Sequence, residues 1–168
     1  MNLIVAIDEN WGIGYKGDLL IKISEDLKYF KKITINQNVV MGQITFESLP
    51  GKKPLKNRTN IVLTHDDSFF SEDIIICYDI PQVLDHVKNS DKETFVIGGE
   101  SIYRQFIPYC TKAYITKIFH SFEADKHIPN FVDNSEWKLV EKSEIFETEK
   151  KIKYQFLVYD KWELRILN

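Results

Sequence analysis

Asp26 is the residue whose place in the sequence most clearly suggests chemistry. It lies in the stretch Lys22–Lys32, KISEDLKYFKK, which reads as an amphipathic helix. At about 100° per residue, Ile23, Leu27, Phe30 and Ile33 fall on one apolar stripe. Glu25, Lys28, Lys31 and Lys32 fall on the opposite side, where charges meet solvent. Asp26 lies inside the apolar stripe, between Phe30 and Ile33 on the wheel. The helix dipole favours an acid in the first turn, and Ser24 is placed to cap it. Glu25 already fills the dipole's role from the wet side, so the dipole accounts for an acid in this turn but not on this face. A carboxylate on a buried face is costly unless it is paired or put to use.

Two further stretches, VVMG–QITF and FVIGG–ESIY, each run from a strand through glycine into a helix. Glycine lets the backbone approach a ligand, and a helix N-terminus offers free N–H groups to an anion. Neither stretch matches GxGxxG or the P-loop pattern, and each alone also reads as plain turn chemistry. Two in one small domain, both at carboxyl ends of strands, suit an extended ligand with two phosphate regions, such as a dinucleotide. Asp125, His120 and His127 are the nearest approach to a metal-binding set. They include no tight ligand pair and no thiolate, so no metal is expected.

The elements that must position these residues follow from the rest of the chain. Its 168 residues suit one domain with a full core. A hydrophobic content of 43% and a charged content of 28% are those of a globular protein. The net charge is −3 and the basic residues are scattered, which argues against nucleic-acid binding through a basic surface. The run Leu3–Ile7 is too short to span a membrane and follows no basic n-region. Cys77 and Cys110 are isolated, as in a reduced, cytoplasmic protein.

Short apolar runs alternate with helical patterns. Strands are expected at 2–8, 38–42, 59–65, 73–78, 94–99 and 112–119, and helices at 43–49, 79–89 and 100–108. Asp79 is a candidate N-cap with Pro81 in the first turn. Residues 9–18, ENWGIGYKGD, read as a loop. Residues 136–146 and 151–162 alternate apolar and polar positions, as half-exposed antiparallel strands do, with FETEKKIK (146–153) as a turn lacking glycine. The sum predicts an α/β fold with a mostly parallel central sheet, helices on both faces and an antiparallel C-terminal hairpin. Ligands of such sheets bind at the carboxyl ends of the strands.

The segments LIVAIDENWGIG, EDLKYFKK, VVMGQITFESLPG, RTNIVLT, FVIGGESIYRQFIP, AYITKI and ADKHIPNF, in this order and spacing, resemble the bacterial dihydrofolate reductase family. The resemblance covers residues 1 to about 160 as one domain; residues 161–168, ending WELRILN, form an extension with no readable motif. It implies a monomer that reduces dihydrofolate with NADPH: hydride transfer to C6 and protonation of N5. It also places Asp26 against the pterin ring, where a carboxylate accepts two parallel hydrogen bonds, and pairs it with Thr116. Ile4, Leu27, Phe30, Leu49 and Ile97 are then the substrate-contacting apolar positions, and Arg58 the clamp for the glutamate carboxylate. For NADPH the resemblance implies Ala6, Ile13, Gly14, Gly42, Gln43, Thr45, Thr64, His65, Gly98, Gly99, Ser101, Ile102 and Tyr103. The Gly98–Gly99 peptide would be cis, the loop from Glu9 to about Ile23 a lid, and Asp125 its holder.

Four positions depart from the family pattern. Ile21 stands where Trp is common, so the water near the pterin must be held differently. Ser24 replaces a frequent proline. Gln43 and Ile44 stand where the family usually has arginine and often a second basic residue. The cofactor's 2′-phosphate thereby loses a charge-assisted partner, and a weaker preference over NADH is expected. Two rival readings remain at this stage: the pyrimidine reductase of riboflavin synthesis on the same fold, and a non-catalytic nucleotide-binding module. Asp26 with Arg58 favours folate over both.

Overall fold

The computed structural model describes residues 1–162. Strands β1 (Asn2–Ile7), β3 (Asn38–Gly42), β4 (Thr59–Leu63), β5 (Ile75–Cys77), β6 (Thr94–Gly98) and β7 (Lys112–Ile118) form the parallel part of the main sheet. The order across it is β7-β1-β6-β3-β4-β5. On the far side of β7 lies β11 (Lys153–Lys161), antiparallel to it. The outer side of β11 pairs antiparallel with β9 (Trp137–Lys142) and β10 (Phe146–Glu147). The helices are α1 (Ser24–Thr34), α2 (Gln43–Ser48), α3 (Ile80–Lys88) and α4 (Glu100–Phe106). The mostly parallel sheet with an antiparallel C-terminal side is therefore as the sequence predicts.

The pleat explains the near-continuous apolar runs. Val40, Ile61, Val96 and Leu3 face one layer, with Phe106 of α4 and Val83 of α3. Their neighbours Val39, Met41 and Val62 face the other, with Phe46 of α2. Successive side chains point to opposite faces, so a strand covered on both sides must be apolar throughout. β9 is covered on one end only: Trp137 is buried and the rest of the strand is exposed.

Several local expectations need correction. Ser24 does not cap α1. Ile23 holds the N-cap position, and no side chain caps that end. Burial of Ile23 against Ile118 and Tyr154 fixes where the chain turns into the helix, which leaves Ser24 as its first helical residue. Asp79 does cap α3, accepting from Gln82 N at 2.9 Å. The loop after β1 contains a short strand, β2 (Gly12–Gly14), paired with β8 (Lys126–His127). The C-terminal turn is tighter than FETEKKIK, because Phe146, Glu147 and Lys153 belong to strands. Lys151 takes the left-handed conformation (φ 63°) that glycine usually supplies. Within the expected extension, Lys161 pairs with Trp137, and Trp162 N donates to Glu136 O at 2.6 Å. Residues 163–168 lie outside the described residues.

Candidate active site

The acid on the apolar stripe meets one polar partner. Ile23, packed below, sets the first turn of α1 so that Asp26 faces the carboxyl half of β7. There Thr116, buried and in register with Ala6 of β1, donates from Oγ1 to Asp26 Oδ1 at 2.6 Å. No other hydrogen bond reaches this carboxylate among the described residues. Burial pushes its pKa above the ordinary carboxylate value, and the Thr116 hydrogen bond only partly opposes that. Ala6 and Ile21 pack against the same apolar group as Ile23. One helical turn on, Tyr29 stacks on Phe156 at 4.1 Å. Burial, with negative neighbours, pushes its hydroxyl up to about 12.

Leu27, at 46% exposed, is not core despite its place on the stripe. Phe30 and Leu49 are half-buried, so this side of α1 is an open apolar wall. Leu49 and Ile97 rest on the Val39–Met41–Phe46–Val62 cluster. Farther along α1 a cleft of ≈ 340 Å³ is lined by Lys31, Pro54, Leu55, Lys56 and Arg58, among others. Arg58 donates from Nε to Lys56 O (2.9 Å) and from Nη1 to Thr34 Oγ1 (3.1 Å). Those bonds orient the guanidinium, and Nη2 keeps its donors. Partial burial lowers the pKa of Arg58 from a very high value, so it stays charged.

The two glycine junctions lie side by side. Gly42 ends β3, Gly98 ends β6, and Met41 is in register with Gly98. The Gly98–Gly99 peptide is cis, and Gly98 has φ 129°, which a side chain disfavours. The Thr45 hydroxyl of α2 sits over that peptide, 3.3 Å from where a Cβ on Gly99 would be, and makes no hydrogen bond among the described residues. A glycine cradle with a free hydroxyl beside it fits a phosphate-bearing cofactor.

Other cofactor candidates are already engaged. Gln43 accepts from Thr64 Oγ1 (2.6 Å) and donates to Glu47 (2.8 Å). His65 and Ser101 are exposed, and Ser101 accepts from Gln105. Ile102 and Tyr103 are core residues. The Tyr103 hydroxyl donates to Ile4 O at 2.8 Å, which ties α4 to β1. Ile4 itself is buried.

The loop after β1 is pinned twice. Asp125 N donates to Gly14 O at 3.0 Å, and Lys16 N donates to Asp125 Oδ2 at 3.0 Å. Ile13 packs against the main core. The second pin escaped the sequence reading. Asp8, 1% exposed, accepts from Asn10 N (2.9 Å), Gly12 N (2.8 Å) and Phe122 N (3.0 Å). A Cβ on Gly12 would meet Asp8 Oδ1 at 3.0 Å and Ala124 Cβ at 2.8 Å, so glycine is required there. The available signal was an acid closing an apolar strand four residues before a glycine, which periodicity alone does not interpret. Among the described residues, no group of three His, Cys, Asp or Glu could hold a metal ion.

This is an α/β protein with two glycine junctions at adjacent strand ends and, beside β7 and β1, one half-buried acid on an apolar helix face. The family model described as dihydrofolate reductase matches residues 1–161. Over 162 residues the chain is 41% identical to the dihydrofolate reductase of Bacillus subtilis (strain 168), covering 96% of this chain and 94% of that one. It is 35% identical to that of Staphylococcus haemolyticus, at 96% and 95% coverage. A solved dihydrofolate reductase from Enterococcus faecalis, complexed with NADP(H) and RAB-propyl, superposes with a TM-score of 0.89 at 32% identity, covering 96% of each chain. The chain belongs to the dihydrofolate reductase family. The pyrimidine reductase and binding-module readings are accordingly not favoured.

Proposed function

We propose that Asp26 is the residue on which this chain's reduction of 7,8-dihydrofolate to tetrahydrofolate turns, with Thr116 as its partner. The observation that carries the reading is the geometry of that acid: half-buried on the apolar face of α1, held at one oxygen by Thr116, with the other oxygen left for a ligand. That oxygen and its neighbour suit the two parallel donors of a pterin edge. NADPH, when bound, supplies the hydride that goes to C6 of the substrate. The chain's contribution is alignment, exclusion of water and electrostatics. Asp26 raises the proton affinity of the bound ring, and water delivers the proton to N5. Leu27, Phe30, Leu49, Ile4 and Ile97 form the apolar surroundings of the substrate, and Arg58 takes its terminal carboxylate from the cleft below α1.

Gly42, Thr45, Gly98 and Gly99 would hold the cofactor's diphosphate, and Ala6 with Ile13 its nicotinamide. Gly14, Gln43, Thr64, His65, Ser101, Ile102 and Tyr103 complete the proposed cofactor set, Ile102 and Tyr103 acting from within the core. We also assign the chain one domain over residues 1–160, a monomeric state and a cytoplasmic location. No helix among the described residues is long and apolar enough to cross a membrane.

The test follows absorbance at the dihydronicotinamide band with dihydrofolate and NADPH, for wild type and Asp26→Asn. Substrate-dependent loss of signal, largely abolished in a folded variant, supports the reading. Equal rates in both proteins would remove Asp26 from the mechanism.

A further inference from the structure

We infer that this chain discriminates only weakly between NADPH and NADH, because the end of the site that receives the adenosine ribose is neutral to acidic. The inference rests on the reading of the site given above. The sheet order places the substrate acid beside β7 and β1, the two glycine junctions on β6 and β3, and β4 beyond them. A dinucleotide whose reactive ring lies by Ala6 and whose diphosphate lies along Gly98 and Gly42 therefore brings its second ribose to the carboxyl end of β4. Residues there read Thr64, His65, Asp66 and Asp67, facing Gln43 of α2.

Three observations bear on what that end can bind. Gln43 is neutral and fixed: it accepts from Thr64 and donates to Glu47, a carboxylate. Asp66 closes the same network, its N–H donating to Thr64 Oγ1 at 3.0 Å and its carboxylate accepting from Ser68. Finally, the sequence contains no lysine or arginine from Thr59 to Val87, whereas Asp66, Asp67, Glu72, Asp73, Asp79 and Asp85 all lie within it. Asp66 and Asp67 follow the carboxyl end of β4, and Asp79 follows that of β5.

A dianionic 2′-phosphate arriving there finds no lysine or arginine on the segment from Thr59 to Val87, and it meets carboxylates. A 2′-hydroxyl can donate to those same carboxylates, which is how acidic residues select the unphosphorylated cofactor in other dinucleotide sites. Specificity is a difference of affinities, and a repulsive element counts as much as an attractive one. Gln43 and Asp66 are thus the specificity-determining residues of this end.

The test is calorimetric binding of NADPH and of NADH to the whole protein without substrate, at low and at moderate ionic strength. The expected dissociation constants differ by less than about 30-fold, against the larger gap that a charge-assisted phosphate clamp produces. Raising the salt from about 0.01 M to about 0.2 M should strengthen NADPH relative to NADH, because it screens the repulsion. A basic clamp gives the opposite sign. Gln43→Arg should tighten NADPH by about 10-fold or more while leaving NADH within about twofold. Asp66→Asn should shift the ratio the same way by a smaller factor. A preference for NADPH above about 30-fold that shrinks with salt would overturn the inference, as would a Gln43→Arg variant that tightens both cofactors equally. Dihydrofolate turnover is scored separately: its absence with both cofactors would sink the reading of the site, while the binding ratio still decides the specificity.

Discussion

Asp8, buried just past the end of β1, and Asp26, half-buried in the first turn of α1, are two carboxylates whose surroundings differ in kind. Asp8 closes β1 and receives three backbone N–H groups from two loops. Asp26 opens α1 and receives one hydroxyl. A carboxylate saturated by the protein's own donors is fastened in place and has nothing left to offer a ligand. One that is enclosed but under-supplied holds its proton too long and waits for a partner. By the count of donors Asp8 is a structural acid, and Asp26 is left with capacity for a ligand.

Paired substitutions should therefore give crossed effects. Asp26→Asn keeps an oxygen for Thr116 but loses the negative charge that the proposed mechanism sets against the substrate, so the hydride step should fall by about 10²–10⁴-fold in single-turnover measurements. Asp8→Asn puts an amide N–H against one of three backbone N–H donors. It should lose about 2–3 kcal/mol of unfolding free energy in denaturant titrations, while the hydride step of the folded protein stays within about tenfold. If Asp8→Asn loses as much chemistry as Asp26→Asn, the loop pin is part of the mechanism and the contrast fails.

Arg58 sharpens the same contrast from the cleft. Its bonds to Lys56 O and Thr34 Oγ1 hold the guanidinium without neutralising it. Arg58→Leu should raise the KM for dihydrofolate by about 10- to 100-fold with kcat little changed, since a terminal carboxylate binds alike in ground and transition states. A substrate analogue without the glutamate should show no such penalty. A fall in kcat instead would mean that Arg58 acts through Thr34 and the placement of α1.

Much of this was legible in the sequence, for physical reasons that can be named. Runs such as Val39–Met41 announced strands covered on both faces, and the strand-to-glycine-to-helix junctions at Gly42 and Gly98, read separately in the sequence, lie side by side in the sheet. Asp26 stood out because a helix wheel reports which face a residue shares. Asp8 did not, because its partners are backbone N–H groups whose convergence depends on the path of two loops. The failed Ser24 cap has the same origin. Local propensity favoured the serine, but packing of Ile23 against Ile118 and Tyr154 set the helix start. The exposure of Leu27 likewise depends on the open wall beside α1, which no periodicity encodes.

The smallest expected effect tests the same contrast through stability. Burial holds the pKa of folded Asp26 above the ordinary carboxylate value of 3.8. The unfolded chain therefore ionises this group first as pH rises. The contribution of protonated Asp26 to folding is fully present below about 3.8 and is lost as pH climbs through the folded value. Asp26→Asn cannot ionise, so it escapes that loss. The melting temperatures of the two proteins should be closest at the acid end. The variant should then gain by about 2–4 °C as pH rises through the window and hold that gain above it. Other carboxylates, including Asp66, whose bonds to Ser68 shift it the other way, titrate in both proteins and cancel in the difference. A difference that is flat with pH, or a variant that melts lower throughout, would mean that the Thr116 bond outweighs burial. Asp26 would then belong with Asp8 as a fastened acid.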